Sequence, residues 1–153
     1  MTASAAETVC LVIVFARAPQ PGKAKTRLIP ALGKAGAAEL HSRLVVHCLR
    51  AAADARIGPV ELWCTPDTSD PFFRECQRSL GVSLYAQGDG DLGARMQHAF
   101  ESAFARSRHA ILVGSDIPAL SPRYLRDADQ ALRRGDWTAF GREWERLKSL
   151  LEK

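Results

Sequence analysis

The sequence predicts an α/β domain built on a mostly parallel sheet with helices on both faces. Three observations predict it. Short apolar runs of strand length alternate with longer helical stretches along the chain. The first run, Val9 to Phe15, is continuously apolar and β-branched, the mark of a strand covered on both faces. At 153 residues and 46% hydrophobic residues, the chain is long enough to bury the core of one such domain.

The elements follow in order. After the first strand, Ala35 to Ala53 is rich in helix formers, and Leu40, Leu44, Cys48 and Ala52 recur every four residues as one apolar stripe. The turn signal Gly58-Pro59 opens a short strand, Val60 to Cys64. A loop then leads into a helix over about Pro71 to Leu80, and Val82 to Gln87 is the third strand. The Gly-rich turn "GDGDLGARM" opens a helix in which Leu92, Met96, Phe100 and Phe104 line one face. His109 to Asp116 is the fourth strand. Ser121 followed by Pro122 supplies an N-cap and a first-turn proline for a helix to about Leu132.

Composition narrows the function classes. No apolar run approaches the roughly 20 residues that span a bilayer, and "MTASAAET" lacks the positive start of a signal peptide, so the chain reads as cytoplasmic. Cys10, Cys48, Cys64 and Cys76 fall in four separate elements without CxxC spacing. They read as free thiols and not as a zinc or redox motif. The net charge is +4, and Arg17, Lys23, Lys25 and Arg27 account for all of it; the rest of the chain is balanced. Basicity this local argues for a focused anion site and against a nucleic-acid-binding face.

Three segments carry the candidate chemistry. The first is "ARAPQPGKAKTRL", directly after the first strand. Gly22 makes its backbone approachable, and its four cations have no acidic residue among them, so a polyphosphate is the natural occupant and a solvated basic loop the plain alternative. It is not a P-loop: Arg17 stands where the first glycine belongs, and Ala24 follows the lysine. The second is "VGSDIPAL". A carboxylate ending a buried strand is expensive unless paired. Asp116 there either holds a divalent cation that bridges a diphosphate or caps the following turn. The third is "QGDGDLGARM", where Gly88, Gly90 and Gly93 permit close approach of a ligand and Arg95 stands in the first helical turn. It reads equally as a tight strand-to-helix connection with Asp91 as N-cap. The four histidines show no ligand spacing, helix-surface roles suit three of them, and there is no G-x-S-x-G.

Taken together, "FARAPQPGKAKTRL", "QGDGDLGARM" and "ILVGSDIPAL" resemble the DUF2064 family, described as glycosyltransferase A-type or radical-SAM/selenodomain-associated transferases. The resemblance covers about Val9 to Leu132. It implies a nucleotide-diphospho-sugar transferase fold, GT-A and Rossmann-like, akin to the guanylyltransferases of molybdenum-cofactor and deazaflavin-cofactor pathways. It also implies an NTP or nucleotide-sugar substrate, Mg²⁺ or Mn²⁺ as cofactor, and nucleotidyl or glycosyl transfer. Arg17, Gly22, Lys23, Lys25, Arg27, Gly90 and Arg95 would then bind phosphate, Asp116 would bind metal, and Asp116 and Lys25 would carry catalysis.

The resemblance stops short of the family's length. There the chain continues into a strand and a "GPAxDGGYxLiGL"-like segment that helps build the acceptor site; here it runs "RRGDWTAFGREWERLKSLLEK". Trp137, Phe140, Trp144, Leu147 and Leu151 alternate at spacings of three and four, the stripe of an amphipathic helix. The sequence therefore divides into an incomplete nucleotide-binding domain, 1–134, and an appended helix of separate origin, 135–153, whose apolar face offers a homodimer contact. Two functions stay open: a transferase, or a nucleotide-binding module without its acceptor half.

Overall fold

The computed structural model describes residues 9–135. Four strands form one sheet: β1 (Cys10–Arg17), β2 (Val60–Thr65), β3 (Ser83–Ala86) and β4 (His109–Val113). All neighbours run parallel, in the order β3-β2-β1-β4. Four helices connect or follow them: α1 (Ile29–Ala55), α2 (Pro71–Leu80), α3 (Leu92–Phe104) and α4 (Pro122–Arg134).

β1 is the central strand, and every residue from Cys10 to Ala16 is buried. Its alternation feeds two cores. Val12, Val14 and Ala16 face one, with Val45, Leu49, Leu62, Phe73 and Leu125 from β2 and from α1, α2 and α4. Leu11, Ile13 and Phe15 face the other, with Trp63 and the alanines of α3. A strand covered on both sides needs apolar residues at every position, which is why the run is continuous.

The local signals explain the element ends. Asp70, Asp91 and Ser121 cap α2, α3 and α4 by accepting from the backbone N–H of Phe72, Ala94 and Tyr124. Gly81 and Gly135 end α2 and α4 in the left-handed conformation. α1 is broken at Gly33, whose φ of 73° is non-helical, so the regular helix begins about where the helix-forming stretch does.

Three expectations change. The buried face of α1 runs through His41, Val45, Cys48, Leu49 and Ala52, with Leu40 and Leu44 only half-buried, so the stripe lies one position round from the expected one. His41 is consequently a core residue and not a surface one. On α3 the expected apolar stripe is only partly the packed face: Met96 packs on the core and Phe100 is half-buried, but the stripe's two ends are not covered. Ala99 and Ala103 are fully buried, while Leu92 and Phe104 are 56% exposed and Phe104 stacks on Phe100. Phe15, Trp63 and Tyr85 already fill that side of the sheet, so the helix approaches through small residues. Finally, β4 ends at Val113, three residues before Asp116.

The last described helix, α4, ends at Arg134. The expected amphipathic helix and its dimer contact lie outside the described residues. Among the described residues no helix is long and apolar enough to cross a membrane.

All four cysteines are free and buried. Burial pushes the thiols of Cys10 and Cys64 up to about 12 and that of Cys76 up to about 11, from an ordinary 9.0. The sign follows from linkage. The unfolded chain ionises first, so stability is intact below pH 9 and falls as pH rises from there toward 11–12, by up to about 1.4 kcal/mol per thiol per pH unit. Urea midpoints measured from pH 8 to 10.5 should be level and then decline, and Cys10→Ala and Cys64→Ala should flatten the decline. A wild-type midpoint independent of pH across that range would contradict the burial of these thiols.

Candidate functional site at the carboxyl edge of the sheet

The strand order reverses at β1: the chain leaves it toward β2 and β3 on one side and reaches β4 on the other. A crevice outside the carboxyl ends of β1 and β4 is the place where sheets of this kind bind ligands. Two loops flank it, residues 18–28 after β1 and 114–121 after β4.

The first loop is rooted firmly. Ala18 N–H donates to Thr65 O at 2.8 Å, continuing the β1–β2 ladder, and Ala24 is buried beneath the loop. His41 Nε2 lies 2.7 Å from Arg17 O. A carbonyl only accepts, so Nε2 carries the proton. Gly22 takes φ 84°, a conformation open to glycine, and Lys25 itself is left-handed at φ 51°. The N–H groups of Lys23 and Ala24 both donate to Gln20 O, at 3.0 and 3.1 Å. These amides are therefore used inside the loop, and the positive potential comes chiefly from side chains. The side chains of Arg17, Lys23 and Arg27 are exposed and have no partner among the described residues.

The second loop is tied to α1. His47 Nε2 donates to Leu120 O at 3.1 Å, and the thiol of Cys48 lies 3.8 Å from Ile117 O. Between these anchors and β4 stands Asp116, 66% exposed. It is not the buried strand-end carboxylate that the sequence suggests, because the strand has already ended and the loop has turned to solvent. Its carboxylate forms an ion pair with Lys25 Nζ across the crevice. Two predicted site residues 91 positions apart are thus brought together.

On the opposite side of the edge, toward α3, the third segment converges. Arg95 Nη1 donates to Gln87 Oε1 at 2.7 Å. Arg17 follows Phe15 by two positions on β1 and so faces the same side, where Phe15 packs against the α3 core. Gly90, at φ 98°, shapes the turn before α3; it is exposed and nothing joins it to the other candidates.

Comparison with known proteins can now be set beside this geometry. The sequence profile of DUF2064, an uncharacterized protein family conserved in bacteria, matches residues 48–143, more than half of the chain. The chain belongs to the DUF2064 family. The match runs past the end of α4 and past the boundary expected after residue 134. A solved structure from Desulfovibrio desulfuricans G20, provisionally assigned as a nucleotide-diphospho-sugar transferase, superposes with a TM-score of 0.67 at 29% identity over 81% of the chain. The chain spans about half of that protein's length, 54%. The fold is therefore that of nucleotide-diphospho-sugar transferases. A search of curated proteins finds no match.

Within this DUF2064 chain, two residues of the site escaped the sequence reading. His41 gives no signal in isolation, because its partner is a backbone carbonyl 24 positions away. Gln87 is 3% exposed just past the end of β3, and a lone polar residue closing a strand gives no sign that it is buried.

Proposed function

We propose that the chain is the nucleotide-binding part of a transferase, holding an NTP or nucleotide-sugar by its phosphates at the β1–β4 crevice. The observation that carries this reading is the Lys25–Asp116 pair. It puts a cation and a carboxylate face to face at the switch point, and the same loop carries Lys23 and Arg27, whose exposed side chains have no partner among the described residues. The likeness to a structure provisionally assigned as a nucleotide-diphospho-sugar transferase supports the same substrate class.

The donor set fits a divalent cation of a particular kind. Among the described residues no group of three His, Cys, Asp or Glu side chains converges. Mg²⁺ and Mn²⁺ are often held by one or two carboxylates together with substrate phosphates, and Asp116, exposed and already facing a cation, suits that mode. When bound, such an ion would neutralise charge building on the departing phosphate. Asp116 would anchor it. Lys25, released from Asp116, would turn to a phosphate oxygen, and Lys23 and Arg27, with Arg17 from the α3 side of the edge, would hold the remaining oxygens. Catalysis is then positioning and electrostatics, with Lys25 and Asp116 nearest the transferred group. The four buried free thiols support a reducing, cytoplasmic setting.

A second reading is a nucleotide-binding module without turnover. Titration calorimetry with GTP, CTP, UTP, ATP and UDP-glucose, with and without Mg²⁺, tests both. Metal-dependent binding that disappears in Asp116→Ala is the expected result. Binding without product in a turnover assay selects the module. Absence of binding at millimolar ligand, or equal binding by Asp116→Ala, overturns the proposal.

A further inference from the structure

The geometry points to Gln87 as a positioning residue that holds the Arg95 guanidinium ready for an anionic ligand group on the α3 side of the crevice. This rests on the proposed anion site and adds a second, preformed contact to it. Gln87 follows β3 directly and is 3% exposed, so its amide must be satisfied from within the protein. Its backbone N–H donates to Cys64 O at 2.9 Å. Its side-chain Nε2 donates to Trp63 O at 2.9 Å and lies 3.4 Å from Ala16 O. These carbonyls belong to the carboxyl ends of β2 and β1, so one side chain stitches three strands at the edge where ligand binds.

That stitching dictates what the other end of the amide does. Carbonyl oxygens only accept, so the NH₂ must face the sheet. Oε1 is thereby turned outward, as an acceptor aimed at α3. A guanidinium only donates, and Arg95 Nη1 meets Oε1 at 2.7 Å. A weaker tie runs from Arg95 Nε to Asp91 O at 3.4 Å. The neighbouring Asp91 carboxylate accepts from Ala94 N–H. Arg95 is thus held by neutral acceptors and pairs with no carboxylate among the described residues, and its Nη2 has no partner among them. Arg17, the last residue of β1, stands on the same side of the sheet. Two guanidinium groups that no carboxylate neutralises suit the two phosphates of a diphosphate better than a single anion.

Pyrophosphate is the probe for the test, titrated into wild type, Gln87→Ala, Arg95→Ala and the double variant, with Arg95 side-chain ¹⁵N spectra recorded for wild type and Gln87→Ala. Each single variant should bind pyrophosphate about ten- to hundredfold more weakly, the weight of one charged hydrogen bond. The double variant should be no weaker than Arg95→Ala, because Gln87 acts through Arg95. Losses that multiply in the double variant, or Gln87→Ala binding as wild type while Arg95→Ala does not, would overturn the inference. The spectra decide independently of ligand. Resolved, slowly exchanging Arg95 Nη signals in wild type should average in Gln87→Ala; identical spectra would overturn the positioning role. If wild type binds no pyrophosphate while the spectra differ as expected, the anion site fails and the Gln87–Arg95 clamp stands.

Discussion

Replacing Arg106 by alanine should destabilise the domain by about 3 kcal/mol, the low end of the range for breaking a buried ion pair. Glu61 is 2% exposed on β2, and its carboxylate has two side-chain donors: Trp63 Nε1 at 2.9 Å and Arg106 Nη1. Removing Arg106 leaves a buried charge facing one neutral indole. The low end of the range applies because the Arg106 side chain is 39% exposed, so water can partly follow it in. The fork geometry matters as well as the charge. Arg106 also donates to Ser102 Oγ at 3.1 Å and to Tyr85 Oη at 3.3 Å, and it lies over the Tyr85 ring. Arg106→Lys should therefore fall between alanine and wild type. The hydrogen bond to Glu61 raises the Arg106 pKa above its ordinary value. A raised base contributes stability that is complete below its unfolded value and lost only above it, so on the Arg106 side the pair is constant throughout the neutral range. Urea denaturation with an unchanged m-value gives the measurement. A loss under 1 kcal/mol for Arg106→Ala would mean that the Glu61 carboxylate does not depend on its partner.

Replacing Lys25 by methionine should move two affinities in opposite directions. Without Lys25, Asp116 loses the cation it faces, so Mn²⁺ alone should bind more tightly than to wild type. Nucleotide binding should weaken by about ten- to hundredfold, because a charged phosphate contact is gone. Methionine is the useful choice because it is no more at ease at φ 51° than lysine, whereas glycine would relax that position and confuse the result. Stability should hardly change, since Asp116 is 66% exposed and such pairs contribute about 0–1 kcal/mol. Free Mn²⁺ counted by electron paramagnetic resonance, and nucleotide binding by calorimetry, give the two numbers. Both affinities falling together would mean that Lys25 holds the loop and not the ligand. Both unchanged would remove the crevice from the site. The nucleotide effect should shrink with added salt, as expected of exposed phosphate contacts.

Much of this architecture is legible in the chain because its signals are local. The unbroken apolar run of β1 requires cover on two faces, and Asp70, Asp91 and Ser121 mark helix starts through bonds to residues two or three positions on. The cationic loop is legible for the same reason, since four like charges within one turn-rich segment need no partner to be noticed. Periodicity misled where a neighbour had a say. The phenylalanines of α3 look like the packing face, yet Trp63 and Phe15 occupy that space and the alanines go in.

By itself the sequence determined the fold class, and it marked the carboxyl edge and its cations as the place where chemistry is expected. Only the tertiary structure decided that Lys25 pairs with Asp116, that buried His41 meets the Arg17 carbonyl, and that Arg95 donates to Gln87. Propensity, capping and turn preference act over a few residues, so a single chain read in order contains them. A carboxylate and an ammonium 91 positions apart become neighbours only when parallel strands bring two loops to one edge, and no local preference specifies which side chains then meet.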